Sequence, residues 1–214
     1  MTIKRGEPWG EVVAVTRVPQ RVRRDGDIAT HLRSDNGPLL LVDGDIALAV
    51  GARNVDGIPN HAIKLPMDSY DLEWHCEDGT VHRTTSYSTL VHGSWWRGES
   101  RWFSSGGFVN RYDVLPRSHP NDGVAEVLRI DPTMPLRQRI AANRRMRTGS
   151  HVPHPHLQIS RGTSHSWNTP EPLRLVVDGA SLGMAVSVFL TVRPDSWFAC
   201  IFDNGADPVA ASPH

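Results

Sequence analysis

The chain has 214 residues, 39% of them apolar and 21% charged, the profile of a soluble globular protein long enough to bury a substantial core. Its formal net charge is zero, which excludes an overall field that would recruit nucleic acid or a membrane. Two distant cysteines, Cys76 and Cys200, exclude a disulfide framework. With no apolar leader in "MTIKRGEPWG" and no apolar run near 18 residues, they point to free thiols in a cytoplasmic protein.

Residues 11–16 and 39–49 read as short β-type runs. Between them "DGDIATHLRSD" (25–35) predicts one short helix, with Asp25 or Asp27 as N-cap, so the first 58 residues form a small α/β unit. From residue 59 the pattern changes to alternation. "DSYDLEWHCEDGTVHRTTSYSTLVHG" (68–93) predicts a hairpin turning at Asp78-Gly79, and strands follow at 124–130, 156–160, 173–177 and 183–192. "VVDGAS" (176–181) joins the last two through another Asp-Gly turn. The helix expected in this part is 135–147, with Pro135 in its first turn and Gly149 just beyond its end. The reading is therefore mainly β, an antiparallel sandwich or barrel over 59–203, with a loose tail at 204–214.

Charge is unevenly spread. Residues 129–161 hold seven arginines against Asp131 alone, a local net of +6 that the remainder balances with −6. Arginine's planar fork suits phosphate oxygens, so this helix is a candidate for phosphate or lipid-headgroup contact, against the alternative of a solvated face. It lacks the interleaved aromatics of a nucleic-acid platform, and no nucleic-acid partner is expected. His151, His154, His156 and His165 cluster in "GSHVPHPHLQISRGTSHSW". His154 and His156 on one strand face would suit a metal, as in a cupin-type barrel; a proline-stiffened loop is the competing reading. GxSxG, Walker and GxGxxG motifs are absent. Cys200 in "WFACIF" reads as a core thiol. In "LLLVDGDIALAVG" (39–51) Asp43 stands where a phosphate cradle needs bare amides, and it would repel a nucleotide.

"PRSHPNDG" (116–123) accepts neither helix nor central strand. With its surroundings, "YDVLPRSHPNDGVAEVLRID", followed by "MPLRQRIAANRRMRTGSHVPHPHL" and "PLRLVVDGASLG", it resembles the C-terminal domain of diacylglycerol-kinase-related lipid kinases. "GDIATHL", "VDGDIALAVG" and "WWRG" extend the resemblance to short actinobacterial relatives with a vestigial nucleotide-binding domain. The resemblance implies a lipid-kinase-like β domain, a structural magnesium near the domain junction with Asp122 as candidate ligand, and a ligand groove. In that groove Trp74, Trp95, Trp96, Trp102 and Trp167 are expected to line the walls, and Arg117, His119, Asn121, Arg147, His151 and His154 to meet a lipid or phosphorylated small molecule.

Departures from the family pattern matter as much. Its "GGDGT"-like phosphate loop reads Val42-Asp43-Gly44-Asp45-Ile46 here, and its "DGE" hairpin reads Asp178-Gly179-Ala180. Asp178 remains a weak catalytic candidate, but a methyl group at 180 can neither accept a proton nor steer a hydroxyl nucleophile. ATP is therefore a doubtful cofactor. The leading expectation is a lipid-kinase relative without autonomous phosphoryl transfer. The alternatives are a kinase completed by a partner's nucleotide-binding chain, and an interaction scaffold. No transmembrane segment is expected, and a homodimer is expected over the surface that a full nucleotide-binding domain would cover.

Overall fold

The computed structural model describes residues 9–34, 37–52 and 60–202. Its first part is β1 (Glu11–Ala14), β2 (Gln20–Val22), a 3-10 turn (Asp25–Asp27), α1 (Ile28–Ser34), β3 (Leu39–Leu41) and α2 (Asp45–Ala49). β2 and β3 pair in parallel, Arg21 beside Leu40, with α1 as the crossover, so a strand–helix–strand unit forms, but its first strand is Gln20–Val22 and the run expected at 11–16 pairs antiparallel with β4 instead. Two further local expectations are corrected. The β run predicted for 39–49 stops at Leu41, because Gly44 at φ +110° turns the chain into α2, a conformation open to glycine. The turn leading into α1 has no side-chain cap, and the Asp25 carboxylate is directed to α2 instead.

The second part is β4 (His61–His75), β5 (Val81–Ser86), β6 (Thr89–Ser94), β7 (Arg97–Ser104), β8 (Phe108–Val109), β9 (Tyr112–Asp113), β10 (Ala125–Ile130), α3 (Leu136–Arg145), β11 (Leu157–Gly162), β12 (Ser164–Val177) and β13 (Ala180–Phe202). An 11-stranded sheet runs β1-β4-β13-β12-β6-β7-β10-β11, all antiparallel, with β5 on β4 and the β2–β3 pair on β13. Both Asp-Gly hairpins form where expected: His75 pairs with Val81, and Val177 with Ala180. β12 and β13 are longer than predicted. They tolerate Pro170, Pro172 and Pro194 at register shifts, where ladder hydrogen bonds are already broken. The parallel pairing of Cys200 with Leu40 carries the N-terminal unit into the same sheet. The boundary expected at 58/59 and the tail at 204–214 lie outside the described residues.

The sheet wraps a core drawn from six strands, including Tyr70, Leu90, Phe103, Val127, Leu175 and Leu190. Three of the expected groove tryptophans belong to cores instead: Trp74 and Trp167 here, and Trp95 under α3. Trp167 Nε1 donates to His92 Nδ1, whose Nε2 donates to the Ala185 carbonyl, so the indole's polar end is met inside the core. Trp102 packs edge-on against Trp95, and only Trp96 of the five is exposed.

α3 ends where predicted, passing through a 3-10 turn (Met146–Thr148) to Gly149 at φ +63°. Its arginines differ in role. Arg139 is buried, donating to the carbonyls of Met134, Trp95, Gly98 and Asp131, and so stitches the helix to the β6–β7 turn. Arg129 pairs with Glu99, and Arg161 with Asp122 and Glu126. Much of the +6 is thereby used within the fold. Arg137, Arg144, Arg145 and Arg147 remain exposed, with no ion-pair partner among the described residues.

Candidate functional site

A cleft of about 630 Å³ opens between the N-terminal unit and the β12–β13 hairpin. Arg23, Arg24, Asp25, Asp27, Asp43, Asp45 and Arg111 line it together with Asp178, Gly179 and Ala180. The halves touch closely: a Cβ on Gly26 would stand 2.7 Å from the Asp178 carbonyl oxygen.

Backbone amides hold most of its carboxylates. Asp25 Oδ2 accepts from the amides of Asp45 (3.0 Å) and Ile46 (3.3 Å), the first N–H groups of α2, and from the Ser88 hydroxyl (2.6 Å). Gly44 permits this, since a Cβ there would collide with the Asp25 carboxylate. Burial pushes Asp25 up to about 6, with the charges of Asp45 and Asp178 adding to the rise against the hydrogen bonds of Ser88 and Ile46. Its Oδ1 is buried without a hydrogen-bond partner among the described residues. Asp45 receives the amides of Asn110 and Arg111 at 2.7 Å each. These two residues form the tight β8–β9 turn with φ of 50° and 65°, so α2 clamps the hairpin that forms one wall.

Asp178, itself at φ 48°, accepts from the amides of Tyr87 (2.9 Å), Ser88 (2.9 Å) and Thr89 (2.8 Å) and from the Ser86 hydroxyl (2.8 Å). Burial raises its pKa, although these four donors pull the other way. The weak catalytic candidate therefore closes the 86–89 turn, and both its oxygens are engaged. Asp43 is exposed at the rim and held below the usual carboxylate range by the Gly44 amide and the Arg111 guanidinium. Ala180 lines the cleft beside Gly179.

The six residues expected to contact a ligand lie away from this cleft. Arg117 and Arg147 are exposed. His119 packs edge-on against Trp9. His151 is buried and donates through Nε2 to the Val114 carbonyl. His154 lies beside His156, their ring centroids 5.8 Å apart. Burial lowers the pKa of all three candidate histidines, His119, His151 and His154. Asn121 donates to Asp68 Oδ1 (3.3 Å) and Asp195 Oδ1 (2.9 Å).

Asp68 is the residue the sequence reading missed. Only 1% exposed, it also accepts the amides of Gly123 (2.8 Å) and Asp195 (2.9 Å), and burial pushes it up to about 6. The "PRSHPNDG" loop is thus a turn pinned to a buried carboxylate. The signal was an acid set directly after the apolar run Leu65-Pro66-Met67 in β4 and two residues before Tyr70 in the inward alternation.

The magnesium expected at Asp122 does not suit this arrangement. Asp122 gives Oδ2 to the Arg161 guanidinium at 2.6 Å and Oδ1 to the Val124 amide. Asp68 is met by N–H donors on both oxygens, and no group of three His, Cys, Asp or Glu side chains converges among the described residues. A hard cation would have to displace a guanidinium. The histidine cluster likewise forms no such group.

No protein-family model matches the chain, and no curated protein matches it. Solved structures do. A Bacillus anthracis strain Sterne crystal structure described as a "putative diacylglycerol kinase" aligns over 87% of this chain and 79% of its own, at 10% identity and a TM-score of 0.53. The fold is diacylglycerol-kinase-like. Two further B. anthracis structures, one described as "a putative diacylglycerol kinase" and one as a diacylglycerol kinase, align at TM-scores of 0.46 and 0.44 with 11% and 10% identity. They cover 78% and 79% of this chain and 70% and 68% of their own. The diacylglycerol-kinase-like fold of the expected resemblance and the mainly β architecture are both present. Among the described residues no helix is long and apolar enough to cross a membrane.

Proposed function

We propose that the protein is a diacylglycerol-kinase-related chain that binds the polar end of a lipid, or a phosphorylated small molecule, in the 630 Å³ cleft and does not phosphorylate it unaided. The observation that carries this reading is the Asp25 carboxylate on the amides of Asp45 and Ile46. This strand-to-helix turn corresponds to the place where the resembled family has its glycine-rich phosphate loop. Here the protein's own carboxylate takes the amides that would otherwise be free for a phosphate oxygen.

Three further features agree. Asp43 and Asp45 add negative charge beside Asp25, so a triphosphate entering the cleft meets carboxylates where it needs cations. Ala180 replaces the glutamate of the resembled hairpin and has no group to move a proton. Asp178 is committed to the 86–89 turn. Arg23, Arg24 and Arg111 at the rim carry enough positive charge for a single phosphodiester, and the inward carboxylates suit the hydroxyls of a glycerol-type headgroup.

Thermal shift and phosphoryl transfer with the whole chain separate the readings. A rise in melting temperature with short-chain diacylglycerol or glycerophosphates is expected, with no rise for ATP and magnesium. The chain should also transfer no labelled phosphate to diacylglycerol, either as the parent or as Ala180→Glu. Stabilisation by ATP, or transfer by the parent alone, would overturn the proposal in favour of a working kinase. Silence toward every ligand would overturn it in favour of a scaffold.

A further inference from the structure

The sheet of the N-terminal unit has two faces with different covers. Leu39, Leu41, Leu65 and Ala199 pack under α1 and α2 on one of them. On the other, the register sets a row: Leu40 of β3 pairs with Cys200 of β13, and Cys200 with Lys64 of β4, so these three side chains share a face. β1 and β2 lie at opposite ends of this part of the sheet, so the chain joining them crosses above that row. Beneath the crossing lies a cavity of about 330 Å³. Val15, Thr16, Arg17 and Pro19 roof it, and Leu40, Ala62, Lys64, Phe198 and Cys200 floor it. Ala62 and Cys200 are small, and the space they leave is about ten times that of a liquid water, far above the voids interiors normally keep.

The lining carries two cations, Lys64 and Arg17, and no acid among the described residues. Lys64 makes no ion pair among them, and its ammonium rests over the Phe198 ring, 4.0 Å from the centroid. Glu11 stands opposite Lys64 in the register but is exposed and does not bridge to it. Burial raises the pKa of Cys200 against the pull of Lys64, so the thiol stays neutral and leaves the ammonium without an anion. An apolar trough with a lysine in its floor matches a hydrocarbon chain that carries a carboxylate. The floor crosses three strands, about 10 Å at the usual spacing, the length of roughly eight carbons at about 1.3 Å advance per bond. We propose that this cavity binds a straight-chain monocarboxylate of that size, with its carboxylate on Lys64 and its chain over Cys200 toward Leu40. The cavity and the cleft share no lining residue, so failure of one reading leaves the other standing.

Cys200 reports occupancy, because it lies in the floor and Cys76 is the chain's other cysteine. In the full chain carrying Cys76→Ser, methyl methanethiosulfonate should label Cys200, and octanoate should slow the labelling saturably. The neutral isostere 1-octanol should protect about 10-fold more weakly, for want of a charged partner to Lys64. Affinity should rise about 4-fold per methylene from pentanoate to octanoate, and level off once the floor is spanned. Lys64→Met keeps an apolar stem of similar length. It should bind octanoate about 10-fold more weakly than the parent, with octanol protection and circular dichroism unchanged. Ala62→Leu fills the floor and should abolish protection without lowering the melting temperature. Absence of protection by octanoate, equal protection by octanol, or parent-like octanoate binding in Lys64→Met would overturn the inference. Full protection in Ala62→Leu would also overturn it, placing the acid elsewhere on the chain. Labelling that is slow without ligand and quickens on dilution would assign the cavity to a second copy of the chain, and would overturn it as well.

Discussion

The most demanding test of the cleft is Asp25→Asn read as a function of pH. Asparagine keeps a carbonyl oxygen for the amides of Asp45 and Ile46 and for Ser88, but it does not titrate. In the parent, burial lifts the Asp25 carboxyl from 3.8 to about 6. Because this is a rise, the folded protein holds the proton more tightly than the unfolded chain. The stabilising contribution is therefore complete below the unfolded value and is lost as pH climbs through the folded one. A rise of about two units at roughly 1.4 kcal/mol each corresponds to about 3 kcal/mol lost between pH 4 and pH 7. Asp68 titrates over a similar range but is common to both proteins, so it cancels in the difference.

Urea unfolding of parent and variant at half-unit steps from pH 4 to 7.5 measures this difference directly. The variant should gain about 3 kcal/mol on the parent across the range, or about 6–10 °C in melting temperature for a chain of this size. Parallel profiles would show that the hydrogen bonds to Asp25 offset its burial completely, and would refute burial as the dominant influence on this carboxyl.

Two other perturbations test the frame around the site. Arg139→Met should lower the melting temperature by about 10 °C, because four buried carbonyls lose their donor at a cost of about 3–5 kcal/mol. Arg139→Lys should recover little, since one ammonium cannot span all four acceptors, and a melt within experimental error of the parent would refute the staple. Asp122→Ala should cost about 1 kcal/mol by freeing Arg161, equally in magnesium and in chelator. Stabilisation of the parent by magnesium that the variant lacks would restore the cation.

What could be read from the chain was local. Asp78-Gly79 and Asp178-Gly179 announced their hairpins because Asp-Gly favours the tight turns that antiparallel strands accept. Pro135 and Gly149 bracketed α3 because one lacks the amide a first turn does not need, and the other accepts the left-handed conformation past a helix end. The ordered motifs from "PRSHPNDG" to "VVDGAS" carried the lipid-kinase resemblance, and the alanine at 180 already argued against proton transfer.

Tertiary structure decided what each polar residue is for. Asp25 has the sequence signature of a cap for α1, yet it binds the start of α2, some 20 residues along the chain. Arg139 looks like any member of a basic helix, and burial against four carbonyls makes it structural. Asp68 lies more than 50 residues from the loop it pins, and the tryptophans expected in a groove fill cores instead. Capping, turn chemistry and alternation depend on neighbours within a few residues, so one sequence specifies them. The partner of a buried charge is chosen by strands that meet only after the sheet has closed, and no local pattern encodes that choice.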